Sequence, residues 1–283
     1  MRNISIGADT GTKPRQEREA GNRKGESTMA EEKVLGKFVW HDLMTTDLEK
    51  AVAFYTELLP WTINEQAMEG FGTYKMIRAA GEDHGGFVQL SPEDNVPSHW
   101  IGYVTVDDVD AASARAVELG GQAPVPGMDI PGIGRFGVIL DPQGAAVSPY
   151  KPNTWRGEGY EGPPRPGTFA WHELLALDPE TEGRFFCEVF GWTLAEMEMG
   201  EMGTYHLFKR AGGSKDAGGM LKKPDGTAPS SWLPYVSVED VDATAARIEP
   251  LGGRIWVQPR DIPGVGRFAV ASDPTGAYFA LFR

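Results

Sequence analysis

The sequence holds one cysteine, Cys187, among 283 residues. That scarcity excludes an internal disulfide framework and any cysteine-based zinc site. The setting of Cys187, GRFFCEV, reads as the packing face of a helix. Long apolar runs are also missing: no stretch approaches the roughly eighteen consecutive apolar residues of a membrane-spanning helix. The first thirty-three residues lack the apolar core of a secretory signal, so a cytoplasmic location is expected. Basic residues are the minority, 27 Lys and Arg against 40 Asp and Glu, for a formal charge of −13. With no Lys/Arg patch interleaved with aromatics, that charge repels phosphate backbones and anionic headgroups, and neither nucleic acid nor membrane is expected as a partner. Histidine is scarce too, five in all, yet two fall in one repeated context: FVWHDLMTTD at 38–47 and FAWHELLALD at 169–178. Whether His41 and His172 are metal ligands is the first question the sequence poses.

What is present is a globular composition, 41% hydrophobic, long enough for about two domains. Residues 1–33 are polar and without apolar periodicity, and are expected to form a disordered tail or an extension before a start at Met29. Beyond them the chain repeats itself. Trp40 recurs as Trp171 at an offset of 131, and SHWIGYVTVDDVDA (98–111), DIPGIGRF (129–136) and DPQGA (141–145) recur at an offset of 132. One half is a duplicate of the other. PNTWRGEGYEGPPRPG (152–167), dense in Gly and Pro, is the expected linker between a first domain at 34–151 and a second at 168–283.

Each half contains a fainter repeat. FVWHDLM alternates like a strand, DLEKAVAFYTELL places Leu48, Val52, Tyr55 and Leu59 on one helical face behind a Thr46 or Asp47 cap, and three strand-like runs follow. WIGYVTV then leads into DDVDAASARAVEL, capped by Asp107 or Asp108 and stopped at Gly120 and Gly121, and three more strands complete the half. The fold class expected is therefore α+β, four βαβββ modules paired into two domains.

With these elements in place the sequence resembles the vicinal oxygen chelate superfamily, the fold of glyoxalase I, extradiol dioxygenases and bleomycin and fosfomycin resistance proteins. The resemblance is carried by DLEKAVAFYTELL, by VTVDDVDA with its Glu-Leu-Gly-Gly exit, and by Asp141-Pro142-Gln143-Gly144, over roughly residues 36–152 and 167–283. It implies that two modules curl into a cup with a divalent metal at its floor. Carried over position by position, the implied ligands fall on Trp40, Ile101, Ser148 and Gln89 in one half and on Trp171, Leu233, Ala280 and Lys222 in the other. These are not metal ligands, so no metal or other cofactor is expected. His41 and His172 lie one residue off and turn to the opposite strand face, toward the helix layer.

If Trp40 and Trp171 face inward, so do Asp42 and Glu173. Pairing Asp141 with Gly144 in the hairpin sets Arg135 opposite Tyr150, and the same reasoning places Arg267 and Tyr278 in the second cup. The candidate ligand-binding residues are thus Trp40, Asp42, Arg135, Tyr150, Trp171, Glu173, Arg267 and Tyr278, with Asp42 and Glu173 as candidate acid or base groups. Alternatively each acid pairs with the Arg of its own half as a structural brace. His99 falls at the rim of the first cup, Tyr74 and Tyr205 read as core aromatics, and the DIPGxGRF segments read as tight turns or as a lid. The function expected is metal-independent binding of a small aromatic or amphipathic molecule, as in bleomycin resistance proteins. A glyoxalase-like lyase or isomerase, an oxygenase acting through the cavity acids, and an assembly component with vestigial cups remain alternatives. Internal two-fold packing of the halves predicts a monomer or weak homodimer.

Overall fold

The computed structural model describes residues 33–68, 72–155, 162–199, 203–212, 215–224 and 229–283. The expected tail, except its last residue, and residues 156–161 of the expected linker lie outside these. The first module is β1 (Phe38–Thr45), α1 (Leu48–Leu58), β2 (Thr62–Met68), β3 (Gly72–Ala79) and β4 (Glu82–Gln89). The second is β5 (His99–Thr105), α2 (Val109–Glu118), β6 (Gln122–Ile130), β7 (Gly134–Leu140) and β8 (Ala146–Pro152). The third is β9 (Phe169–Ala176), α3 (Pro179–Phe190), β10 (Thr193–Glu198), β11 (Thr204–Lys209) and β12 (Asp216–Lys222). The fourth is β13 (Ser231–Ser237), α4 (Val241–Ile248), β14 (Arg254–Ile262), β15 (Gly266–Ser272) and β16 (Tyr278–Phe282). Each half closes into one eight-stranded sheet, ordered β2-β3-β4-β1-β5-β8-β7-β6 and β10-β11-β12-β9-β13-β16-β15-β14. None of the described helices is long and apolar enough to cross a membrane.

Each of the four α-helices described begins on an aspartate. Asp47, Asp108, Asp178 and Asp240 each accept a hydrogen bond from the amide three residues on, which satisfies one of the donors a helix start leaves open. The Asp-Pro-x-Gly turns are wider than a four-residue pairing. Asp141 Oδ1 accepts from the Gln143 and Ala145 amides at 2.9 and 2.7 Å, and the first paired residues of the hairpin are Leu140 and Ala146. Asp273 holds the equivalent turn, and Ser272 pairs with Tyr278.

The convex faces carry the helices and bury them across the two halves. One core joins Ala51, Phe54, Tyr55 and Leu58 of α1 to Val241, Ala245 and Ile248 of α4. The other joins Val109, Ala112 and Ala116 of α2 to Phe185, Phe186 and Phe190 of α3. Between these cores His41 meets His172, Nε2 to Nε2, at 2.6 Å. Phe169 stacks on His41 with ring centroids 3.7 Å apart, and Phe38 on His172 at 3.9 Å. The imidazoles do turn away from the cups, but toward each other at the join. The join is further clasped by equivalent indoles: Trp61 Nε1 donates to the Gly167 carbonyl at 2.7 Å, and Trp192 Nε1 to the Gly36 carbonyl at 2.9 Å.

The two seams differ in their polar contents. On one, buried Glu182 of α3 faces Asp141, and burial, followed by the Asp141 carboxylate beside it, pushes its pKa up to about 7. On the other, the buried Tyr55 hydroxyl of α1 faces Asp273 and accepts from Trp100 Nε1 at 3.1 Å.

Candidate functional site

The concave faces are set by strand alternation. In β1, Phe38, His41 and Leu43 point to the helix side, a bulge after Phe38 having shifted the register. Trp40 and Asp42 therefore point into the first cup. Asp42 is 6% exposed and carries a cluster of donors. Tyr103 Oη donates to Oδ2 at 2.8 Å, Trp40 Nε1 to Oδ1 at 3.1 Å, and Tyr74 Oη to Oδ1. The Gly86 amide is a further donor. Trp40 Nε1 also reaches Tyr74 Oη, at 2.9 Å.

The second cup repeats this arrangement with a longer acid. Glu173, 8% exposed, accepts from Tyr235 Oη at 2.9 Å and from the Tyr205 hydroxyl, while Trp171 Nε1 donates to Tyr205 Oη at 2.8 Å. Glycine makes this geometry possible. A Cβ at Gly86 would stand 2.1 Å from Tyr74 Oη, and one at Gly219 would stand 2.0 Å from Tyr205 Oη. Any side chain at those two positions displaces the phenol from its acid.

Burial raises the pKa of both Asp42 and Glu173; the phenol donors oppose it in both, joined at Asp42 by the Trp40 indole. The four phenols are pushed up, first by burial and then by the acid beside them, so they remain donors. Each cup floor is thus a hydrogen-bonded carboxylate ringed by aromatic edges. The arrangement can orient a ligand hydroxyl or carbonyl, or exchange a proton with it.

The residues implied for a divalent ion do not fit one. Ile101 and Leu233 are buried hydrophobes, and Ala280 offers no donor. Ser148 Oγ is committed to the Gly137 carbonyl at 2.6 Å. The Gln89 amide is tied to Leu48 N, Thr46 O and Leu90 O at the start of α1. Among the described residues no three His, Cys, Asp or Glu side chains converge as a metal cluster would require.

Tyr150 stands in the first cup, its ring 6.1 Å from Tyr103, and Tyr278 stands on the concave side of the second beside Trp256. Arg135 and Arg267 do not. In the hairpin Arg135 pairs with Lys151 and Phe136 with Tyr150, one residue from the expected register. The slip turns the guanidinium to the helix side, where it bonds Asp110 of α2 at 2.9 Å and Asp129 at 3.1 Å. Arg267 likewise bonds Asp242 at 2.6 Å and Asp261 at 2.9 Å. Neither arginine braces Asp42 or Glu173. The phenols do, and two of them, Tyr103 and Tyr235, were missed although each lies two residues beyond an inward position, Ile101 or Leu233. Tyr74 and Tyr205, read as core, are hydrogen-bonded to these two acids. His99 is tied to the Pro97 carbonyl at 2.8 Å.

Comparison with known proteins agrees with this architecture. The mycobacterial protein named "Putative glyoxylase CFP32", from Mycobacterium tuberculosis (strain CDC 1551 / Oshkosh), is 38% identical over 247 residues, covering 86% of this chain and 93% of its own. The anthracycline biosynthesis protein DauV of Streptomyces sp. (strain C5) is 30% identical over 259 residues, covering 87% of this chain and 92% of its own. The Mn(II)-bound glyoxalase from Novosphingobium aromaticivorans shares the fold at 16% identity with a TM-score of 0.58, over 88% of this chain and 82% of its own. The 2,2',3-trihydroxybiphenyl 1,2-dioxygenase of Sphingomonas wittichii strain RW1 does so at 15% identity and 0.59, over 88% and 90%. The model of one family matches residues 37–148 and again 169–281, and the chain belongs to that family, the Glyoxalase/Bleomycin resistance protein/Dioxygenase superfamily.

Proposed function

We propose that this chain is a metal-independent small-molecule-binding protein of the glyoxalase and bleomycin-resistance type, its ligand aromatic or amphipathic. The observation that carries the reading is the cup floor. Where the superfamily resemblance implies metal ligands there is an indole, and beside it a buried acid already held by two phenols. Such a floor offers one hydrogen-bonding group amid apolar and aromatic walls, which is the composition of a pocket that orients a mostly apolar ligand. The name of DauV, given for anthracycline biosynthesis, is in keeping with a fused-ring aromatic ligand. With the helical faces occupied by the internal pairing of halves, the protein acts as a monomer or weak homodimer.

A second reading is favoured by the raised pKa of Asp42 and Glu173: an enzyme of lyase or isomerase type in which the cup acid takes a substrate proton. Protein dialysed against EDTA and then screened by thermal shift separates the two. A ligand at a hundred times its dissociation constant adds about 2.7 kcal/mol of stability. Stabilisation by 1,4-dihydroxyanthraquinone, with no turnover of the methylglyoxal–glutathione hemithioacetal, supports binding. Turnover by the EDTA-treated protein that Asp42→Asn and Glu173→Gln abolish supports the enzyme. Turnover that EDTA removes and a divalent ion restores overturns metal independence.

A further inference from the structure

The two cups carry the same acid cluster but not the same mouth. On the β14–β16 side of the second cup, two large aromatic side chains are left half in solvent, Trp256 at 45% and Tyr278 at 49% exposure. Their ring centroids are 5.4 Å apart, with planes 30° from parallel. The pair is held in place. Trp256 lies where the β14 register shifts against β15, a bulge that re-aims a side chain, and its Nε1 donates to Ser272 Oγ at 3.0 Å. The Arg254 guanidinium stands 3.9 Å from the indole centroid.

Their face is the cup face. In β15, Ala269 and Ala271 enter the helix-side core, whereas Phe268 and Val270 pack with Leu233, Tyr235 and Ala280 inside the cup. Ser272 follows Val270 by two, and Tyr278 precedes Ala280 by two, so both are on the inner side. The same rows connect them to the acid. Glu173 pairs with Leu233, and Tyr235 pairs with Ala280, which puts Tyr278 beside Leu233. Two strand spacings, about 10 Å, separate Glu173 from Tyr278 along the sheet. At an offset of 132 the first cup has Pro124 for Trp256, Ala146 for Tyr278 and Gln122 for Arg254. None of these three replacements offers an aromatic ring face.

Leaving an indole and a phenol half exposed forgoes apolar burial, and fixing them by Ser272 and Arg254 removes the ordering cost of a later contact. We propose that the second cup is the ligand-binding one, and that it takes a planar fused-ring molecule. Its ring face lies on Trp256 and Tyr278, and a hydroxyl or carbonyl on its edge is directed toward Glu173. This rests on the reading of the cups as small-molecule sites and adds which cup, which ligand shape and which residues select it. Arg254 favours a ligand with an electron-rich oxygen or negative charge at the outer edge. The first cup, without that aromatic pair, keeps its acid cluster as a structural floor.

The test is titration of the full chain with 1,4-dihydroxyanthraquinone, followed by quenching of tryptophan fluorescence and by calorimetry. One equivalent is expected to bind. Trp256→Ala and Tyr278→Ala each weaken binding at least tenfold, Trp256→Phe restores most of it, and Pro124→Ala in the first cup changes nothing. Both aromatic positions are half exposed, so the variants are expected to fold, and an unchanged melting temperature checks this. Binding of one or two equivalents that ignores Trp256 and Tyr278 overturns the assignment while leaving the cups as binding sites. Absence of binding by the unaltered protein removes the aromatic ligand class from both this inference and the reading beneath it. Dimer formation that Trp256→Ala abolishes would identify the platform as a protein contact and overturn the proposal.

Discussion

Asp42 accepts from Trp40, Tyr74, Tyr103 and the Gly86 amide, and each of these partners is a donor. Asparagine in its place turns one acceptor into an NH2 group facing hydroxyls and an indole that also donate. Asp42→Asn is expected to cost about 1–3 kcal/mol, with a coupling energy to Tyr103→Phe of about 0.5–3 kcal/mol and none to Arg135→Ala. Urea melts of the singles and doubles measure this, and coupling to Arg135 would restore the brace that the geometry denies. The histidine pair makes a prediction in pH. Burial depresses both imidazoles, His41 well below the usual range and His172 to about 3, with the His172 charge a further cause for His41. In the unfolded chain each takes a proton near 6.5, so below that pH the unfolded state binds more protons than the folded one. Stability falls as pH drops from about 6.5 toward 3, and is untouched by these groups above it. Replacing both histidines by leucine flattens the decline in urea midpoint between pH 6.5 and 5; an unchanged slope would assign the acid sensitivity elsewhere.

The hairpin between β7 and β8 shows what an element can conceal. The inward face of β1 was legible because alternation alone fixes it once Trp40 is placed, and the helix starts were legible because only a few Asp or Thr side chains could cap them. The hairpin register was not, since the Asp141 carboxylate bonds two amides of its own turn and lengthens the loop by one residue. That one residue sends Arg135 to Asp110, a contact between distant segments that no local pattern announces. Trp256 was illegible for a similar reason: the β14 bulge breaks the period-two pattern just where the indole sits. Because the Arg135 partners are largely exposed, Arg135→Ala is expected to leave the urea midpoint nearly unchanged and to leave ligand affinity alone. The seam between α3 and the β7–β8 turn is more sensitive to pH. Glu182, pushed up to about 7, keeps its proton in the folded state after the unfolded chain has lost it. Stability contributed there therefore falls as pH rises from about 4.5 to about 7, opposite in sign to the histidines. Glu182→Gln mimics the protonated acid, so its melting temperature should exceed the parent's at pH 8 and match it at pH 4.5; a loss at pH 8 would mean the charge is needed.

At the scale of the whole molecule the halves share their cores, α1 with α4 and α2 with α3, so neither half has a finished interior of its own. The described body is expected to unfold in a single transition, with tryptophan fluorescence and far-ultraviolet dichroism coincident. Phe186→Ala, in the shared core, should lower the whole transition by about 3–5 kcal/mol rather than release one half. Two separated transitions would show that each sheet stands alone. The indole clasps extend this to connectivity. Trp61 secures the backbone at Gly167 just ahead of β9, and Trp192 secures it at Gly36 just ahead of β1, so the chain approaches both strands through equivalent places in the fold. A covalent bridge leads to β9 from β8, and a bridge of equal length from β16 would lead to β1. The order of the halves along the chain is therefore expected to be interchangeable. A circular permutant that starts at Gly167, runs through Arg283, crosses a copy of the 152–166 segment to Gly36 and ends at Lys151 should fold to the same body. The measurement is its melting temperature and its affinity for the anthraquinone beside those of the parent.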